Sequence, residues 1–475
     1  MSTIHSARSK EFLRNGSKID RHDQTFWAVR EKRDKMAHDL PEWEDLRELA
    51  SQIKRHTVTH LADYLEQFSS RLEERGVVVH WAKDAQEFNE IVYGILETHK
   101  VKKMVKSKSM LTEECEMNPY LEARGIDVVE TDLGERIIQL LGQKPSHIVM
   151  PAIHLTRDEV GKMFEEKGIS KEIGNHDPTY LTRCARYHLR DEFMTADAGM
   201  TGCNFGVAET GDVVVCTNEG NADMSTSMPK LHIVAMGIEK VVPNYDCLAV
   251  LHRLLARCGT GQPTTTFTAH FEKARPGAEM HVVLVDNGRS DILCNEEHWE
   301  TLKCMRCGAC MNTCPVYRRS TGYSYTYFIP GPIGINLGML KSPDLYHDNV
   351  SACSLCLSCS NVCPAKVDLG EQIYRWRQSL EELGLESSEK KWMSRGMGYL
   401  FGHPALYNTA LKCSPMVNGM PRWLIYNKLN AWGEGHEMMK FPKKSFHALW
   451  KDGEVEAAAS ESAEKNDKKG KEKAI

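Results

Sequence analysis

The chain has 475 residues, more than one hydrophobic core usually serves, so two or three domains are expected. Sixty Lys and Arg residues against 65 Asp and Glu residues give a net charge of −5, which argues against a polyanion-binding surface over the whole molecule. No apolar run has membrane-spanning length, and the N-terminal segment lacks the apolar core of a secretory signal. We therefore expect a cytoplasmic protein, in which 16 cysteines suggest metal binding rather than disulfides.

Residues 1–70 are predicted to form an N-terminal helical region. Leu46, Leu49 and Ile53 recur at helical intervals, with charged residues between them. The sequence Pro41-Glu42-Trp43-Glu44 predicts a helix start, because proline and acidic residues both favour the first turn.

Residues 71–294 are predicted to form an α/β domain. Short apolar runs rich in β-branched residues alternate there with helical patterns. This alternation favours a largely parallel sheet with helices packed against it. The apolar runs are residues 77–81, 128–129, 147–150, 213–215, 232–236 and 280–285.

Four polar segments of this domain are candidates for ligand binding: residues 106–110, 130–135, 202–211 and 218–221. The small residues of 202–211 would let backbone amides approach a phosphate or carboxylate, but a tight turn explains them equally well. Residues 218–221 follow a strand on the side where open α/β sheets bind ligands. The basic segment 106–110, at a strand end before a capped helix, could bind an anion or be a solvated loop. The acidic segment 130–135 could hold a general base, although a helix start is favoured.

Other motifs for catalysis are weak or missing from the sequence. His56 and His60 have the i, i+4 spacing of zinc ligands, but no third ligand follows nearby and a surface pair is favoured. The sequence has no G-x-G-x-x-G after a strand, no Walker A motif and no G-x-S-x-G. It therefore shows no motif of its own for a flavin or a nicotinamide.

Residues 295–380 contain the strongest motif, a C-x2-C-x2-C-x3-C-P run that occurs twice. The first copy consists of Cys304, Cys307, Cys310 and Cys314, followed by Pro315. The second consists of Cys353, Cys356, Cys359 and Cys363, followed by Pro364. In two-cluster ferredoxins, three cysteines of such a run bind one [4Fe–4S] cluster and the fourth binds the other cluster.

The spacing therefore predicts two [4Fe–4S] clusters with crossed ligation. Cluster 1 is expected on Cys304, Cys307, Cys310 and Cys363, and cluster 2 on Cys353, Cys356, Cys359 and Cys314. Structural zinc is the alternative, but a zinc site does not require the C-x3-C-P extension. The connection of residues 316–352 is long for a compact ferredoxin, so a mostly helical two-cluster domain is expected.

The rest of the sequence suggests no further metal site. The other eight cysteines lack ligand spacing and are predicted to be small buried apolar residues. They are Cys115, Cys184, Cys203, Cys216, Cys247, Cys258, Cys294 and Cys413. Residues 381–454 are predicted to be helical or irregular, and the polar tail 455–475 to be disordered.

Over about residues 20–450, the sequence resembles the iron–sulfur subunit of the lactate-utilisation system. The residues that carry the resemblance are 40–44, 105–110, 130–135, 145–149, 202–211, 218–221, 232–243, 441–446 and the two cysteine runs. The resemblance implies a LUD domain at about 70–290, with a fold similar to ribose-5-phosphate isomerases and CoA-transferases. It also implies a cysteine-rich partner similar to heterodisulfide reductase subunits, a second LUD-domain partner and a link to oxidation of L-lactate to pyruvate.

Three hypotheses for the function follow. The first is an electron-transfer subunit of a cytoplasmic or peripherally membrane-associated complex that oxidises L-lactate. The second is a stand-alone redox enzyme whose LUD domain binds another anionic substrate. The third is a scaffold whose clusters are structural. Redox titration of the clusters separates the third hypothesis from the others, and lactate oxidation by the isolated chain separates the first two.

Overall fold

The computed structural model describes residues 4–14, 16–386, 388–426 and 439–453. The predicted disordered tail, residues 455–475, lies outside the described residues. The chain divides into two compact units, Met1–Leu385 and Glu386–Ile475. In the described part of the second unit no side chain is buried. No described helix combines the length and the apolar character that a bilayer crossing requires.

Helices form most of the secondary structure. The α-helices are α1 Ile4–Phe12, α2 Gly16–His38, α3 Trp43–Thr59, α4 Leu61–Glu73, α5 Ala85–Thr98, α6 Met110–Glu114, α7 Met117–Glu122, α8 Leu133–Leu141, α9 Arg157–Glu166, α10 Pro178–Thr195, α11 Asn221–Ser227, α12 Tyr245–Gly259, α13 Arg289–Leu293, α14 Ala309–Thr313, α15 Pro315–Ser320, α16 Gly331–Lys341, α17 Pro343–Tyr346, α18 Ser358–Val362, α19 Leu369–Glu382, α20 Ser388–Gly402, α21 Pro404–Cys413, α22 Arg422–Ile425 and α23 Phe446–Lys451. The strands are β1 Val78–Ala82, β2 Lys103–Lys106, β3 Asp127–Glu130, β4 Ala198–Gly202, β5 Phe205–Val207, β6 Asp212–Thr217, β7 Leu231–Gly237, β8 Val241–Val242, β9 Phe267–Phe271 and β10 Glu279–Val285.

The N-terminal region is helical. Helix α3 begins at Trp43 and carries Glu44 and Asp45 in its first turn, where the helix dipole stabilises acidic side chains. Its apolar face, which includes Ala50 and Ile53, packs in a buried cluster with residues of α12 and of the cysteine-rich region. Helix α3 thus contacts both the α/β domain and the cysteine-rich region.

A six-stranded parallel sheet forms the centre of the α/β domain. Its strand order is β1-β10-β7-β4-β2-β3, and every neighbouring pair is parallel. All seven residues of β7 are buried, because helices and loops cover both faces of the central strands. The prediction of a largely parallel sheet is therefore confirmed.

Next to it lies a smaller mixed sheet that the sequence analysis did not predict. Its order is β8-β5-β6-β9, with β5 parallel to β8 and the other two pairs antiparallel. Strand β5 falls inside the segment 202–211, so that segment is not one continuous loop.

The prediction of a strand at residues 147–150 is wrong, because this segment forms no helix or strand. The backbone amides of Val149 and Met150 both donate to His147 Nδ1, at 3.0 Å each, which turns the chain tightly. Ile148 is buried in a cluster that includes Cys310 and Tyr317. The apolar run therefore packs against the cysteine-rich region instead of joining the sheet.

The cysteine-rich region is helical, as predicted. Between β10 and Leu385 the described elements are short α-helices and 3₁₀-helices. Helices α14 and α18, which lie within the two cysteine runs, pack against each other. Their contact brings the C-terminal halves of both runs together.

Candidate iron–sulfur centre and adjoining cavity

The two cysteine runs adopt the same backbone conformation at matching positions. Arg306 and Leu355 follow the first cysteine of each run by two residues and have φ of +59° and +54°. Gly308 and Leu357 follow the second cysteine by one residue and have φ of +82° and +60°. Left-handed backbone at three non-glycine residues costs about 1 kcal/mol or more each. Each run therefore forms a tight loop at its first three cysteines.

Backbone amides donate hydrogen bonds to the cysteine sulfurs. The donors to Cys304 and Cys353 are Arg306 N, at 3.4 Å, and Leu355 N, at 3.3 Å. The sulfurs of Cys314 and Cys363 accept from Tyr317 N, at 3.5 Å, and Val367 N, at 3.3 Å. Such bonds stabilise a sulfur that carries negative charge, as a thiolate bound to iron does.

The structure brings the first cysteine group together around Cys363. Burial raises the pKa of Cys363 to about 11, and its neighbour Cys304 raises it further. Burial raises the pKa of Cys307 and of Cys310 well above the usual value, and the charges of Cys304 and Cys363 contribute to both. Cys363 thus faces the first three cysteines of the other run.

The second group forms around Cys314. Burial raises the pKa of Cys314 to about 11, and the charges of Cys353 and Cys356 contribute. Burial likewise raises the pKa of Cys359 to about 12, with Cys314 as the largest charged contributor. Thiols of this kind stay protonated at neutral pH, so metal binding would have to displace their protons.

The spacing of the sulfurs is wider than a zinc site requires. Four thiolates around one zinc ion lie about 3.8 Å apart, given Zn–S bonds of about 2.3 Å. Among the described residues, no three cysteine sulfurs lie within 4.8 Å of one another. The sulfurs of the described residues therefore do not form the compact set that a single zinc ion requires.

The two groups differ in depth. Cys307, Cys310 and Cys363 of the first group are each 9% exposed. The fourth member, Cys304, is half-buried. In the second group only Cys359 is buried, whereas Cys353 and Cys314 are half-buried and Cys356 is exposed. Cys310 and Cys359 interact electrostatically, so the deep group and the outer group are neighbours.

Arginines of the N-terminal helices hold the second cysteine run. Arg47 of α3 is 8% exposed and donates to the Cys363 carbonyl oxygen from Nε, at 3.0 Å, and from Nη2, at 2.9 Å. Its Nη2 also donates to the Asn361 carbonyl oxygen, at 2.8 Å. Arg33 of α2 donates to the Val362 carbonyl oxygen, at 3.3 Å. Buried guanidinium groups therefore satisfy the carbonyls that the loop leaves free.

A cavity of about 350 Å³ adjoins the deep cysteine group. On one side it is lined by residues at the carboxyl ends of the parallel strands, including Lys108, Gly202 and Glu239. On the other side it is lined by Arg306 and Cys307 of the first cysteine run. The ligand-binding edge of the sheet thus faces the predicted ligands of cluster 1.

Buried ion pairs surround this cavity. The Arg289 guanidinium donates to both Glu114 oxygens, at 3.0 Å each, and to Glu239, at 2.5 Å. Burial opposes ionisation of Glu239, but Arg289 and Lys240 outweigh it and lower the pKa of that carboxyl to about 2. At another part of the wall, burial and the nearby Asp132 raise the pKa of Glu219 to about 7.

All four candidate segments contribute to the cavity wall, including Lys108 of segment 106–110 and Asp132 of segment 130–135. Gly202, Cys203 and Asn204, and likewise Asn218 and Glu219, line the cavity. The structure therefore brings part of residues 202–211 next to residues 218–221, as a shared binding site requires.

The basic segment 106–110 divides between two environments. Lys106 is fully buried and pairs with Glu130, at 2.7 Å, whereas Lys108 lines the cavity and donates to the Val149 carbonyl oxygen, at 3.0 Å. Ser109 precedes α6, but its side chain makes no capping hydrogen bond.

In the acidic segment 130–135, the helix-start interpretation agrees with the geometry. Asp132 accepts a hydrogen bond from Glu135 N, at 3.1 Å, and so caps α8. His56 and His60 are exposed; His56 bonds to Tyr64, at 2.9 Å.

The prediction that the remaining cysteines are buried is only partly right. Cys115 and Cys258 are buried, but Cys294 and Cys413 are exposed and the other four are half-buried. Sequence reasoning also missed Lys240, Arg289 and Arg306 of the cavity wall. Only Arg306 lies within a recognisable motif, and the other two are brought to the cavity by folding alone.

Family models match both regions of the first unit. The LUD domain model matches residues 65–292, and the 4Fe-4S dicluster domain model matches residues 300–367. The fold and the cysteine site therefore define a LUD-domain protein with an adjoining iron–sulfur domain.

Curated relatives cover most of the chain. "Lactate utilization protein B" of Oceanobacillus iheyensis is 40% identical over 430 residues, 87% of this chain and 89% of the relative. The protein of the same name from Geobacillus thermodenitrificans is 42% identical over 387 residues, 79% of this chain and 80% of the relative. "Uncharacterized electron transport protein YkgF" of Escherichia coli is 37% identical over 431 residues, 88% and 90% of the two chains. The chain belongs to the family of lactate utilization protein B.

Proposed function

We propose that this chain is an iron–sulfur electron-transfer subunit of a cytoplasmic complex that oxidises L-lactate to pyruvate. Cys304, Cys307, Cys310 and Cys363 hold cluster 1, and Cys353, Cys356, Cys359 and Cys314 hold cluster 2. When bound, each [4Fe–4S] cluster supplies a site that accepts and releases one electron at a time. The names of the relatives, which refer to lactate utilisation and electron transport, support this role.

The observation that carries the proposal is the difference in depth between the two cysteine groups. Cys307 lines the internal cavity, whereas Cys356 of the outer group is exposed. Cys310 and Cys359 connect the two groups. With both clusters bound, the two cysteine groups would supply one-electron centres on the cavity side and near the surface, where a partner could exchange electrons.

Partner subunits supply the two-electron acceptor that lactate oxidation requires. Removing two electrons from a 2-hydroxy acid requires a two-electron acceptor such as a flavin or a nicotinamide, and the sequence has no motif for either. We propose that a cysteine-rich subunit similar to heterodisulfide reductase subunits and a second LUD-domain protein complete the complex. The chain then carries electrons and leaves the first oxidation step to the assembly.

The test is lactate-dependent dye reduction under anaerobic conditions. The holo-chain alone is expected to exchange electrons with artificial donors and dyes but not to oxidise lactate, and turnover is expected once the partner subunits are added. Substantial turnover by the chain alone would contradict the subunit role and favour the stand-alone enzyme. Clusters that do not cycle at accessible potentials, roughly −700 to +450 mV for such centres, would favour a structural role instead.

A further inference from the structure

The cavity between the parallel sheet and the first cysteine run contains cationic groups with hydrogen-bond donors that no described residue accepts. The Nη1 atom of Arg306 is buried and donates no hydrogen bond to any described residue. Among the described residues, the Lys240 ammonium group makes no hydrogen bond or ion pair, although burial lowers its pKa. Both side chains line the cavity. A buried donor without an acceptor costs free energy unless a ligand or water completes it.

Arg289 also lines the cavity, but its hydrogen-bond donors already have acceptors in the protein. Its guanidinium group is already bonded to Glu114 and Glu239, so it positions the wall and is not available to a ligand. Lys108 is likewise engaged, with the Val149 carbonyl oxygen. Lys240 and Arg306 interact electrostatically with Glu239, but they are the cavity cations that retain free hydrogen-bond donors among the described residues.

Another part of the cavity wall carries acidic side chains instead of basic ones. Asp132 and Glu219 both line the cavity, and Glu219 accepts a hydrogen bond from Leu133 N, at 3.3 Å. Because the pKa of Glu219 is raised to about 7, this side chain can donate or accept a proton in a hydrogen bond near neutral pH. A ligand with a hydroxyl or oxo group beside its carboxylate matches both parts of the wall.

We propose that this cavity binds a short 2-hydroxy or 2-oxo carboxylate, with its carboxylate at Lys240 and Arg306 and its second oxygen toward Asp132 and Glu219. The volume of about 350 Å³ accommodates such an acid together with ordered water. The ligand would lie beside Cys307, one of the residues assigned to cluster 1. The inference deepens the proposed function by naming what the LUD domain binds, but binding requires no electron transfer.

The alternative explanation is that Lys240 and Arg306 only balance the negative charge of the iron–sulfur centre. Lys54 provides a matched control for this explanation. Its ammonium group is also buried and interacts electrostatically with Cys304, but it donates to the Glu239 carbonyl oxygen, at 2.6 Å, and does not line the cavity. A charge-balancing role predicts similar effects of Lys54 and Lys240, whereas a binding role distinguishes them.

The experiment is anaerobic titration calorimetry of the oxidised holo-chain with L-lactate, pyruvate and propionate. We expect one saturable site for lactate or pyruvate and binding of propionate at least about tenfold weaker, because propionate lacks the second oxygen. Lys240→Gln should weaken binding about tenfold or more, and Lys54→Gln less than about twofold. A wild-type chain with no saturable site, or equal effects of the two substitutions, would overturn the inference.

A second measurement uses the wild-type chain alone and does not depend on a variant keeping its clusters. Saturating pyruvate should shift the midpoint potential of one cluster, the one beside Cys307, and leave the other unchanged. Equal shifts of both clusters, or no shift, would contradict binding in this cavity. Both experiments give their answer even if the chain proves unable to pass electrons to a partner.

Discussion

At the residue scale, a few buried polar side chains hold the cysteine loops and the sheet in place. Arg47 donates to two carbonyl oxygens of the second cysteine run and also pairs with Glu44, at 2.7 Å. Carbonyls in a loop that wraps a cluster have no partners from regular secondary structure. The N-terminal helices therefore contribute directly to the iron–sulfur site, although they carry none of the predicted ligands.

Substitution Arg47→Lys is expected to loosen the loop that ends at Cys363. A lysine cannot reproduce the forked hydrogen bonds, and their loss should cost about 2 kcal/mol. The measurement is the rate at which a chelator removes iron from the anaerobic holo-chain, and we expect a faster release. Arg55→Lys on the same helix is the control, because the Arg55 side chain is 61% exposed and pairs with Glu300 at the surface. Equal release from both variants would argue against this role of Arg47.

His232 on β7 links stability to pH. Burial lowers its pKa from 6.5 to about 3, and its Nε2 bonds with Thr201 Oγ1, at 2.9 Å. Between pH 6.5 and about 3, the imidazole of the unfolded chain binds a proton that the folded chain excludes. The free energy of unfolding therefore decreases as the pH falls below 6.5. His232 contributes up to about 1.4 kcal/mol per pH unit to this decrease. Its unfavourable effect is absent at higher pH.

The variant His232→Gln should therefore lose less stability than the wild type between about pH 6.5 and 5. Urea unfolding midpoints at several pH values measure this slope. His56→Gln is the control, because His56 is exposed and should leave the slope unchanged. A His232→Gln slope identical to that of the wild type would show that the buried imidazole does not govern this pH range.

At the element scale, close packing of β4 against α11 depends on a glycine. A Cβ atom at Gly199 would collide with the Ser225 carbonyl oxygen, and backbone cannot yield as a flexible side chain can. Gly199→Ala is therefore expected to destabilise the fold by about 2 kcal/mol or more, through displacement of the strand or the helix.

Gly94 on α5 provides the matched control. A Cβ atom there meets nothing within 4 Å, and the residue is exposed on a helix. Gly94→Ala should stabilise the protein by about 1 kcal/mol, since alanine favours helix over glycine. Denaturant unfolding of both variants checks the opposite signs, and destabilisation of similar size in both would contradict the packing argument.

Several strands could be predicted from the sequence because their residues are mostly apolar and buried on both faces of the sheet. Strands β7 and β10 are apolar runs buried in a parallel sheet, and both were predicted. Strand β4, Ala198–Gly202, was not, because its small residues lack the β-branched pattern and reflect the close approach of α11 instead. The apolar run at 147–150 misled the prediction because it packs on the cysteine-rich region.

The cysteine ligand sets of the candidate site could be predicted from the sequence, whereas the cavity residues could not. The cysteine pairing follows from local spacing, so the crossed ligand sets could be proposed from the sequence. The cavity could not, because Lys240, Arg289 and Arg306 lie far apart in the chain and meet only after folding. Their roles depend on tertiary placement rather than on a local motif.

At the scale of the whole molecule, the sheet domain, the N-terminal helices and the cysteine runs form one unit. Two [4Fe–4S] clusters in that unit predict about eight iron and eight acid-labile sulfide per chain. Metal and sulfide analysis of anaerobically purified protein provides the measurement. Two zinc ions without sulfide would contradict the iron–sulfur assignment.

The central claim is that two clusters are shared between the cysteine runs, and paired cysteine variants test it most directly. Cys304 and Cys314 belong to the same run, but the crossed assignment gives Cys304 to cluster 1 and Cys314 to cluster 2. Electron paramagnetic resonance of the reduced holo-chains should therefore show different centres altered in Cys304→Ser and Cys314→Ser. The Cys314→Ser spectrum should match that of Cys353→Ser in the centre affected. If Cys304→Ser and Cys314→Ser alter the same centre, each run binds its own cluster and the account is wrong.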